Sequence, residues 1–385
     1  MKSIKLAFVT QFPLDVNHPF GGVEAVSVNL VHSLSAYTEL DIQIVTLCTQ
    51  TKKVTQNSWG KVTIHRLPKP KGSDLFNAVT KSKVLVAGYV QYLQPDLIHV
   101  HDTYGIMLND LSIPKVFTVH GFIYENTLFS SSRFCWLRSK IWKLIEQRSW
   151  AAQKNIISIN PHVREKVSSV SSATIYDIAN PIFEDFFSVE RNEDKQIIFT
   201  SSVISPLKNT LILVKAADLL IRIGYDIKLR IAGEMVNNAY AETLNNYIKE
   251  NNLSDNIKLL GRLSVSQIKK ELGQASIYAL ASLSENAPMG IAEAMAVGVP
   301  VVTSNRCGMP YMVRDGETGF LINPLDENNI ANKFKMILDD VQLRLTMGKN
   351  AKELAFSQYH AQNVAKRTFY VYQELMLNSN SVHLN

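Results

Sequence analysis

Cysteine is scarce in this sequence: three residues among 385, widely separated as Cys48, Cys135 and Cys307. An odd and scattered set excludes a disulfide framework and a zinc knuckle, and it suits a reducing cytoplasm. Long apolar runs are missing too, and no stretch is long enough for a membrane-spanning helix. The short apolar segment at Met1–Thr10 is followed by no cleavage site of small residues. We interpret it as a first buried strand rather than a signal peptide.

Charged residues make up only 19% of the chain against 46% hydrophobic residues, and neither repeats nor low-complexity segments occur. This composition predicts an ordinary globular protein with a large core. The length of 385 residues predicts two domains. A formal net charge of +6 is compatible with nucleic-acid binding, but no helix-turn-helix, RNP or zinc-finger signature accompanies it. An anionic substrate or an anionic membrane surface explains the excess equally well.

Strand-like and helix-like segments alternate along the whole chain, which predicts α/β architecture with doubly wound parallel sheets. The most informative unit begins with an apolar strand at residues 276–281 and a polar loop. A helix then runs from Pro288 to Gly298, and a second strand follows at residues 299–303. Strand, loop, helix and strand in this order predict one right-handed parallel βαβ unit.

The start of that helix carries candidate binding groups. The backbone N–H groups of Met289, Gly290 and Ile291 should be free there and form an anion site. Gly290 should leave room for a ligand to approach the backbone. Glu285 precedes the helix and Glu293 lies in its second turn. Two carboxylates flanking an anion site suit a ligand with phosphates in the middle and hydroxyls at both ends, such as a nucleotide-sugar, although glutamates are most often simply solvated.

Glu285 and Glu293 form an E-x7-E pair within the text APMGIAEAMAVGVPVV, which DGETGFLI follows. This stretch resembles glycosyltransferase family 4, whose members are retaining enzymes. The resemblance implies the GT-B fold: two Rossmann-like domains that face a central cleft, with a C-terminal helix that crosses back to the first. We therefore expect an acceptor-binding domain at residues 1–185, joined by the helix at 361–378, and a donor-binding domain at 195–360. The charged segment between them, 184–195, is interpreted as the linker.

The resemblance also implies roles for single residues in the second domain. Glu285 would lie by the donor sugar and Glu293 would bind the ribose. The segment from Pro288 to Ile291 would line the diphosphate, with the N–H groups of Met289, Gly290 and Ile291 as its donors. Lys208 matches the lysine of the family's G-R-x-x-P-x-K loop, whereas Ser202 and Val203 stand in place of the glycine and the arginine. One of two expected cations is therefore missing. The nucleotide base would meet backbone groups near Gly261 and Arg262.

In the first domain, Gly21 and Gly22 open the first helix and resemble the family's GGxE loop near donor and acceptor, although the two glycines could merely make a tight turn. His120 ends a strand and resembles the family histidine close to the donor sugar; a lone histidine in such a place is more often structural. His99 and His101 alternate along one strand and could suggest a metal site. No cysteine or third histidine nearby completes such a site, so none is predicted.

Residues 131–154 combine basic and aromatic side chains with a single acid, Glu146. Such a helix can lie on an anionic bilayer. It can equally pack its aromatic side chains inward and leave its basic ends solvated. The basic residues are Arg133, Arg138, Lys140, Lys143 and Arg148, and the aromatic residues are Phe134, Trp136, Trp142 and Trp150.

The sequence thus predicts a retaining glycosyltransferase that moves a sugar from a nucleoside-diphosphate sugar to a glycan or lipid-linked acceptor, in cell-surface polysaccharide or glycolipid synthesis. Its catalytic residues would be Glu285, Lys208 and His120, in a cytoplasmic protein that can contact the inner face of the membrane. No D-x-D sequence occurs, so no essential metal or other cofactor is expected. Two alternatives stay open: a nucleotide-sugar 2-epimerase of the same fold, and a non-catalytic module that binds nucleotide or a partner protein.

Overall fold

The computed structural model describes residues 3–129, 134–194 and 196–382, and for 380–382 the backbone alone. These residues form two compact domains. The first contains the described residues up to Pro181 together with those from Ala361 onward, and the second runs from Ile182 to His360.

The first domain is built on an eight-stranded sheet in the order β3-β4-β2-β1-β5-β6-β7-β8. All neighbouring strands are parallel except the β3–β4 hairpin at one edge. Its strands are β1 (Ile4–Val9), β2 (Leu40–Cys48), β3 (Thr55–Trp59), β4 (Val62–Pro68), β5 (Leu97–His101), β6 (Lys115–Val119), β7 (Asn155–Ser158) and β8 (Thr174–Asp177). Its helices are α1 (Gly22–Leu34), α2 (Asp74–Val79), α3 (Lys81–Leu93), α4 (Thr103–Met107), α5 (Ile123–Leu128), α6 (Cys135–Ala151), α7 (Pro161–Ser168) and α14 (Ala361–Val382).

The second domain has a six-stranded, fully parallel sheet in the order β11-β10-β9-β12-β13-β14. Its strands are β9 (Ile197–Ser201), β10 (Lys228–Ala232), β11 (Ile257–Gly261), β12 (Ile277–Leu280), β13 (Val301–Ser304) and β14 (Gly319–Ile322). Its helices are α8 (Thr210–Arg222), α9 (Asn238–Glu250), α10 (Val265–Gln274), α11 (Met289–Val297), α12 (Glu327–Asp339) and α13 (Val341–Tyr359). The predicted parallel βαβ unit is confirmed as β12–α11–β13.

The C-terminal helix α14 packs on the first domain. Its apolar side chains, among them Val364 and Tyr372, join the core of Leu6, Phe8 and Val31 from β1 and α1. The chain therefore returns to its first domain, as the resemblance implied, and the helix continues past the expected end at residue 378 to Val382.

Some boundaries differ from those expected. Between β4 and β5 the chain forms two helices, α2 and α3, rather than one, because Thr80 between them adopts a non-helical φ of −128° and ψ of −101°. Residues 184–194, interpreted as linker, lie within the second domain. There Asn192 N–H donates to the Gly273 carbonyl and Asp194 N–H to that of Gln274, at 2.9 Å each. Backbone hydrogen bonds of this kind produce no periodic pattern of apolar residues. The charged segment at 184–194 therefore cannot be distinguished from a linker by its sequence alone.

Candidate active site

The strand order of the second domain reverses between β9 and β12, which lie side by side at the centre of the sheet. Ligands of doubly wound sheets bind beyond the carboxyl ends of the strands at such a reversal. Lys208 lies in the loop that follows β9, and Glu285 lies in the loop that follows β12. The topology therefore brings together two residues that are 77 positions apart in the chain.

Direct hydrogen bonds join these two loops. The Leu207 carbonyl accepts from the Leu283 N–H at 2.9 Å and from the Ser282 hydroxyl at 3.1 Å. Asn209 adopts a left-handed φ of 53°, and its side-chain amide donates to the Pro324 carbonyl at 2.6 Å. Lys208 is thus held between two anchored neighbours, and its side chain reaches the β12 loop.

Lys208 and Glu285 form an ion pair between the ammonium group and Oε1. Their side chains are 20% and 18% exposed, respectively. Burial lowers the pKa of Lys208 to about 8, so the lysine is still mostly charged at pH 7. A partly desolvated cation is attractive to a phosphate, because charges interact more strongly where water is excluded.

The start of α11 lies directly after Glu285. Among the described residues, the N–H groups of Met289 and Gly290 make no hydrogen bond. The N–H of Ile291, by contrast, donates to the Pro288 carbonyl at 3.2 Å. Two of the three expected N–H groups are therefore free. The third, that of Ile291, is not free, because the carbonyl of the N-cap residue Pro288 accepts it.

The reason for glycine at position 290 also differs from the expected one. A Cβ there would lie 2.1 Å from the Tyr278 hydroxyl and 3.1 Å from the Ser201 hydroxyl. The space is thus occupied by the side chain of a buried β12 tyrosine, whose Oη donates to the Ser201 carbonyl at 3.1 Å. Gly290 permits close packing of α11 on the sheet. This packing role was not predicted, although Tyr278 is the one aromatic residue of an otherwise aliphatic strand.

Glu293 is partly buried one turn further along α11, and its carboxylate makes no hydrogen bond or ion pair with the residues that the structure describes. Burial raises its pKa to about 7. A carboxylate without donors from the described residues can accept hydrogen bonds from two hydroxyl groups of a ligand.

Gly261 and Arg262 lie at the carboxyl end of β11, and both are exposed. Gly261 has a left-handed φ of 65°, and its carbonyl accepts from the Gly233 N–H at 2.8 Å. Val203, at the position where the resemblance implies an arginine, is 41% exposed and follows the end of β9. The structure therefore places an apolar side chain at the position of the missing cation.

In the first domain the strand order reverses between β1 and β5. Gly21, in the loop after β1, has a φ of +126° and caps α1, whose first residue is Gly22. That conformation is strained for any residue with a side chain. Asp102 follows β5 and also has a positive φ, of 44°. Strained non-glycine residues often lie at functional sites. Asp102 is therefore an additional candidate site residue, which was not predicted.

His120 follows β6 and contacts this strained aspartate. Its N–H donates to Asp102 Oδ1 at 2.9 Å. Its ring nitrogens lie 2.8 Å from His101 Nδ1 and 3.0 Å from Asn180 Oδ1. Burial lowers the pKa of His120 although the Asp102 carboxylate opposes this shift. Both ring nitrogens therefore have protein partners, and contact with a sugar would require the ring to exchange one of them.

His99 and His101 do share one face of β5, with ring centroids 4.5 Å apart. Both are buried, and the two ring nitrogens of His99 bond Tyr372 at 2.5 Å and Thr118 at 2.7 Å. Burial lowers the pKa of each histidine, so both rings are neutral. Within the described ranges, no group of three or more potential ligands could hold a metal ion.

Two family models match nearly consecutive parts of the chain. Residues 20–184 match Glycosyltransferase Family 4, and residues 181–354 match Glycosyl transferases group 1. An uncharacterized glycosyltransferase of Methanocaldococcus jannaschii is 24% identical over 350 residues, which cover 88% of this chain and 91% of that protein. The Escherichia coli enzyme named UDP-Gal:alpha-D-GlcNAc-diphosphoundecaprenol alpha-1,3-galactosyltransferase is 25% identical, with 94% of each chain covered.

Solved structures resemble the fold. Sucrose-phosphate synthase from Thermosynechococcus elongatus superimposes with a TM-score of 0.83 at 20% identity, over 97% of this chain and all of that chain. HepE of Anabaena, in complex with UDP and glucose, has a TM-score of 0.72 at 16% identity, over 96% of this chain and 99% of that one. The chain is a glycosyltransferase of the GT-B fold.

For this glycosyltransferase the predicted enzyme class and fold are confirmed, whereas the roles of single residues stay predictions. The structure brings Lys208, Glu285 and the start of α11 together in the second domain. It places Gly21, Gly22 and His120 beyond the strands of the first domain. None of its helices, within the described residues, is both long and apolar enough to cross a bilayer.

Proposed function

We propose that this glycosyltransferase is a retaining enzyme that transfers a sugar from a nucleoside-diphosphate sugar to a hydroxyl of an acceptor. The observation that carries the proposal is the Lys208–Glu285 ion pair beside the start of α11, at the reversal of the strand order. A cation and free amides suit a diphosphate, and a carboxylate next to them suits the sugar attached to it.

In the proposed step, the bond between the anomeric carbon and the diphosphate oxygen breaks while the acceptor oxygen bonds to that carbon from the same face. The proton of the acceptor hydroxyl goes to the departing phosphate. Lys208 and the N–H groups of Met289 and Gly290 stabilise the negative charge that develops on the diphosphate. Glu285 orients the sugar and stabilises positive charge at its anomeric carbon.

The remaining donor contacts follow from the same placement. Glu293 accepts hydrogen bonds from the two ribose hydroxyls, and backbone groups at Gly261 and Arg262 meet the base. In the first domain, Gly21 and Gly22 let the donor or acceptor approach the backbone, and His120 contacts the sugar. No essential metal is proposed, because the sequence contains no D-x-D motif to hold one at the diphosphate; EDTA should therefore leave the rate unchanged.

We propose a glycan or lipid-linked acceptor, and a role in cell-surface polysaccharide or glycolipid synthesis on the cytoplasmic side of a membrane. The name of the E. coli relative specifies an acceptor sugar on diphosphoundecaprenol. That name supports the proposal of a lipid-linked acceptor.

The test is to screen UDP-, GDP- and ADP-sugars by thermal shift, and then to follow transfer to polyprenyl-diphosphate sugars and oligosaccharides by mass spectrometry. A donor-dependent product whose new linkage keeps the anomeric configuration of the donor, measured by NMR, is expected. Glu285→Gln, which keeps the shape of the side chain, is the control and should bind the nucleotide without forming product.

An inverted linkage would overturn the retaining mechanism. Isomerised sugar nucleotide without acceptor would indicate the epimerase, and nucleotide binding without any sugar release would indicate the non-catalytic module.

A further inference from the structure

Helix α6 exposes apolar side chains where a surface helix usually exposes polar ones. Leu137, Ile141 and Leu144 are 44%, 38% and 58% exposed and recur at the i, i+4, i+7 spacing of one helical stripe. Trp136 is 55% exposed beside them, and Phe134, immediately before the helix, is 58% exposed. We call these five residues and the exposed basic residues of the same helix the α6 surface.

The opposite face of α6 already contacts the domain. Trp142 and Trp150 are both 3% exposed, and the ring of Trp150 packs edge-on against Phe122 with centroids 5.6 Å apart. The hydroxyl of Ser139 donates to the Tyr124 carbonyl at 2.6 Å. Two of the four aromatic residues of this segment, Trp142 and Trp150, therefore pack inward as one prediction had it. The other two, Phe134 and Trp136, are exposed.

The charges on the α6 surface have one sign. Arg138, Lys140, Lys143 and Arg148 are all exposed. The one acid of the helix, Glu146, is 4% exposed and accepts the N–H groups of Ile123 and Tyr124 at 3.0 Å each. The helix therefore presents four cations and no carboxylate to its surroundings, and the ammonium of Lys140 lies 5.2 Å from the centre of the Trp136 ring. Arg133, predicted to belong to this set, lies outside the described residues.

We propose that the α6 surface docks on an anionic lipid bilayer, with the helix lying in the plane of the interface. Tryptophan, phenylalanine and leucine enter the boundary between headgroups and acyl chains, and lysine and arginine contact anionic headgroups. A protein partner fits less well, because the buried core of a protein–protein interface is depleted of charged residues, whereas four cations of one sign accompany the apolar stripe here. The apolar stripe and the basic residues lie on the exposed side of the same helix. A bilayer with anionic headgroups and an apolar interior can bind both at once.

The proposal does not rest on the transferase activity, because vesicle binding is measured without donor or acceptor. If the acceptor is lipid-linked, docking would also hold the enzyme at the surface in which that acceptor is embedded. Failure of one proposal leaves the other intact.

The experiment is cosedimentation of the full chain with vesicles of phosphatidylcholine alone or mixed with phosphatidylglycerol, at low and high salt. We expect binding to the anionic vesicles that weakens with salt, and little binding to the neutral ones. Lys140→Ala with Lys143→Ala should weaken binding by roughly 30-fold, about fivefold for each cation. Trp136→Ala with Leu144→Ser should weaken it at both salt concentrations, because the lost contacts are apolar.

Control substitutions outside the α6 surface test whether vesicle binding depends on this surface or on the overall charge and exposed apolar area of the chain. Val84 and Tyr92 on α3 are 75% and 77% exposed, so Val84→Ser with Tyr92→Ala removes comparable exposed apolar groups from the same domain. Lys249→Ala with Lys349→Ala removes two exposed lysines from the second domain. Both controls should bind like the unmodified chain, and circular dichroism checks that every variant is folded.

Three outcomes would overturn the proposal. The first is no cosedimentation with anionic vesicles at low salt. The second is an equal loss of binding in the α3 or lysine controls, which would make the effect one of overall charge or apolar content. The third is a concentration-dependent dimer, seen by light scattering, that Trp136→Ala abolishes while vesicle binding survives. That result would assign the surface to a second copy of the chain.

Discussion

Lys208 and Glu285 are each other's counter-ion in this structure, although they follow different strands of the sheet. The pair holds an ammonium and a carboxylate together on side chains that are only 20% and 18% exposed. When a diphosphate binds, it can replace Glu285 as a partner of Lys208 and leave the carboxylate available to the sugar. The ion pair is thus a preorganised form of the charges that the proposed transfer requires.

Removing either member of this pair should slow transfer far more than it destabilises the fold. Lys208→Ala and Glu285→Ala should each lower kcat by about 10² to 10³, the usual effect of losing one group that stabilises transition-state charge. The double variant should be little slower than the single ones, because the groups act as a unit. Lys335→Ala, which breaks an exposed pair with Asp339 on α12, is the control. Near-normal rates in the single variants would remove Lys208 and Glu285 from the mechanism.

Adding the missing cation should strengthen donor binding. Val203→Arg places a guanidinium where the resemblance expects one, at a position that is already 41% exposed. We expect about tenfold tighter binding of the nucleoside diphosphate, the effect of one hydrogen bond to a charged group. Val203→Gln supplies length and polarity without charge and should change little. Equal affinity for all three proteins, by calorimetry, would show that this position does not contact the diphosphate.

Glu293 should make stability fall as pH rises. Burial raises its pKa from the ordinary 4.5 to about 7. Between these values the folded chain holds a proton at Glu293 that the unfolded chain releases, so the contribution of Glu293 to the free energy of unfolding decreases with increasing pH and levels off above about 7. Burial raises the pKa of Glu146 to about 8, which adds a slope of the same sign. Urea unfolding of Glu293→Gln between pH 5 and 8 should therefore show a smaller slope than the unmodified chain, whereas the exposed Glu242→Gln should retain the full slope.

The same titration should govern nucleotide affinity in the opposite direction. Only the ionised carboxylate accepts from both ribose hydroxyls, so the unmodified enzyme should bind nucleotide more tightly as pH rises through 7, and Glu293→Gln should bind weakly at every pH. An unchanged affinity in the glutamine variant would refute the ribose assignment while leaving the stability argument standing.

Gly290 should tolerate alanine only when the tyrosine hydroxyl beneath it is removed. The new methyl group would lie 2.1 Å from Tyr278 Oη. Gly290→Ala should therefore cost about 1–3 kcal/mol, the usual effect of overpacking a core. Tyr278→Phe should restore part of the loss in the double variant. Gly88→Ala on α3, where no atom lies within 4 Å of the added Cβ, is the control. Additive effects of the two substitutions would show that the contact does not limit position 290.

Glu193 should matter for stability through a buried arginine. Arg344 is 1% exposed, and its Nε donates to Glu193 Oε1 at 2.5 Å. Glu193→Gln leaves that guanidinium buried without its counter-charge, so we expect a loss of about 3–5 kcal/mol in the free energy of unfolding. The exposed Glu190→Gln should lose less than about 0.5 kcal/mol. Urea denaturation measures both, and a similarly small loss in Glu193→Gln would show that the guanidinium is satisfied by its other bonds.

The sequence by itself predicted the alternation of strands and helices and the βαβ unit around α11, and its resemblance to glycosyltransferase family 4 predicted the enzyme class. These features have local signals: apolar periodicity, the proline before α11, the glycine after it, and residue types at fixed spacing. The return of the C-terminal helix to the first domain came from the family resemblance. The structure then gave the physical basis, a stripe including Val364 and Tyr372 that completes the core of β1 and α1.

Only the tertiary structure decided which groups contact one another. The ion pair of Lys208 with Glu285, the contact between Tyr278 and Gly290 and the bond between His101 and His120 join residues from different elements of the fold. The structure also divided α6 into a buried face and an exposed one, because α5 covers Ser139 and Glu146 and leaves Trp136 in the open. Spacing along a chain determines local conformation, whereas contact across a sheet depends on strand order and register, which no single segment encodes.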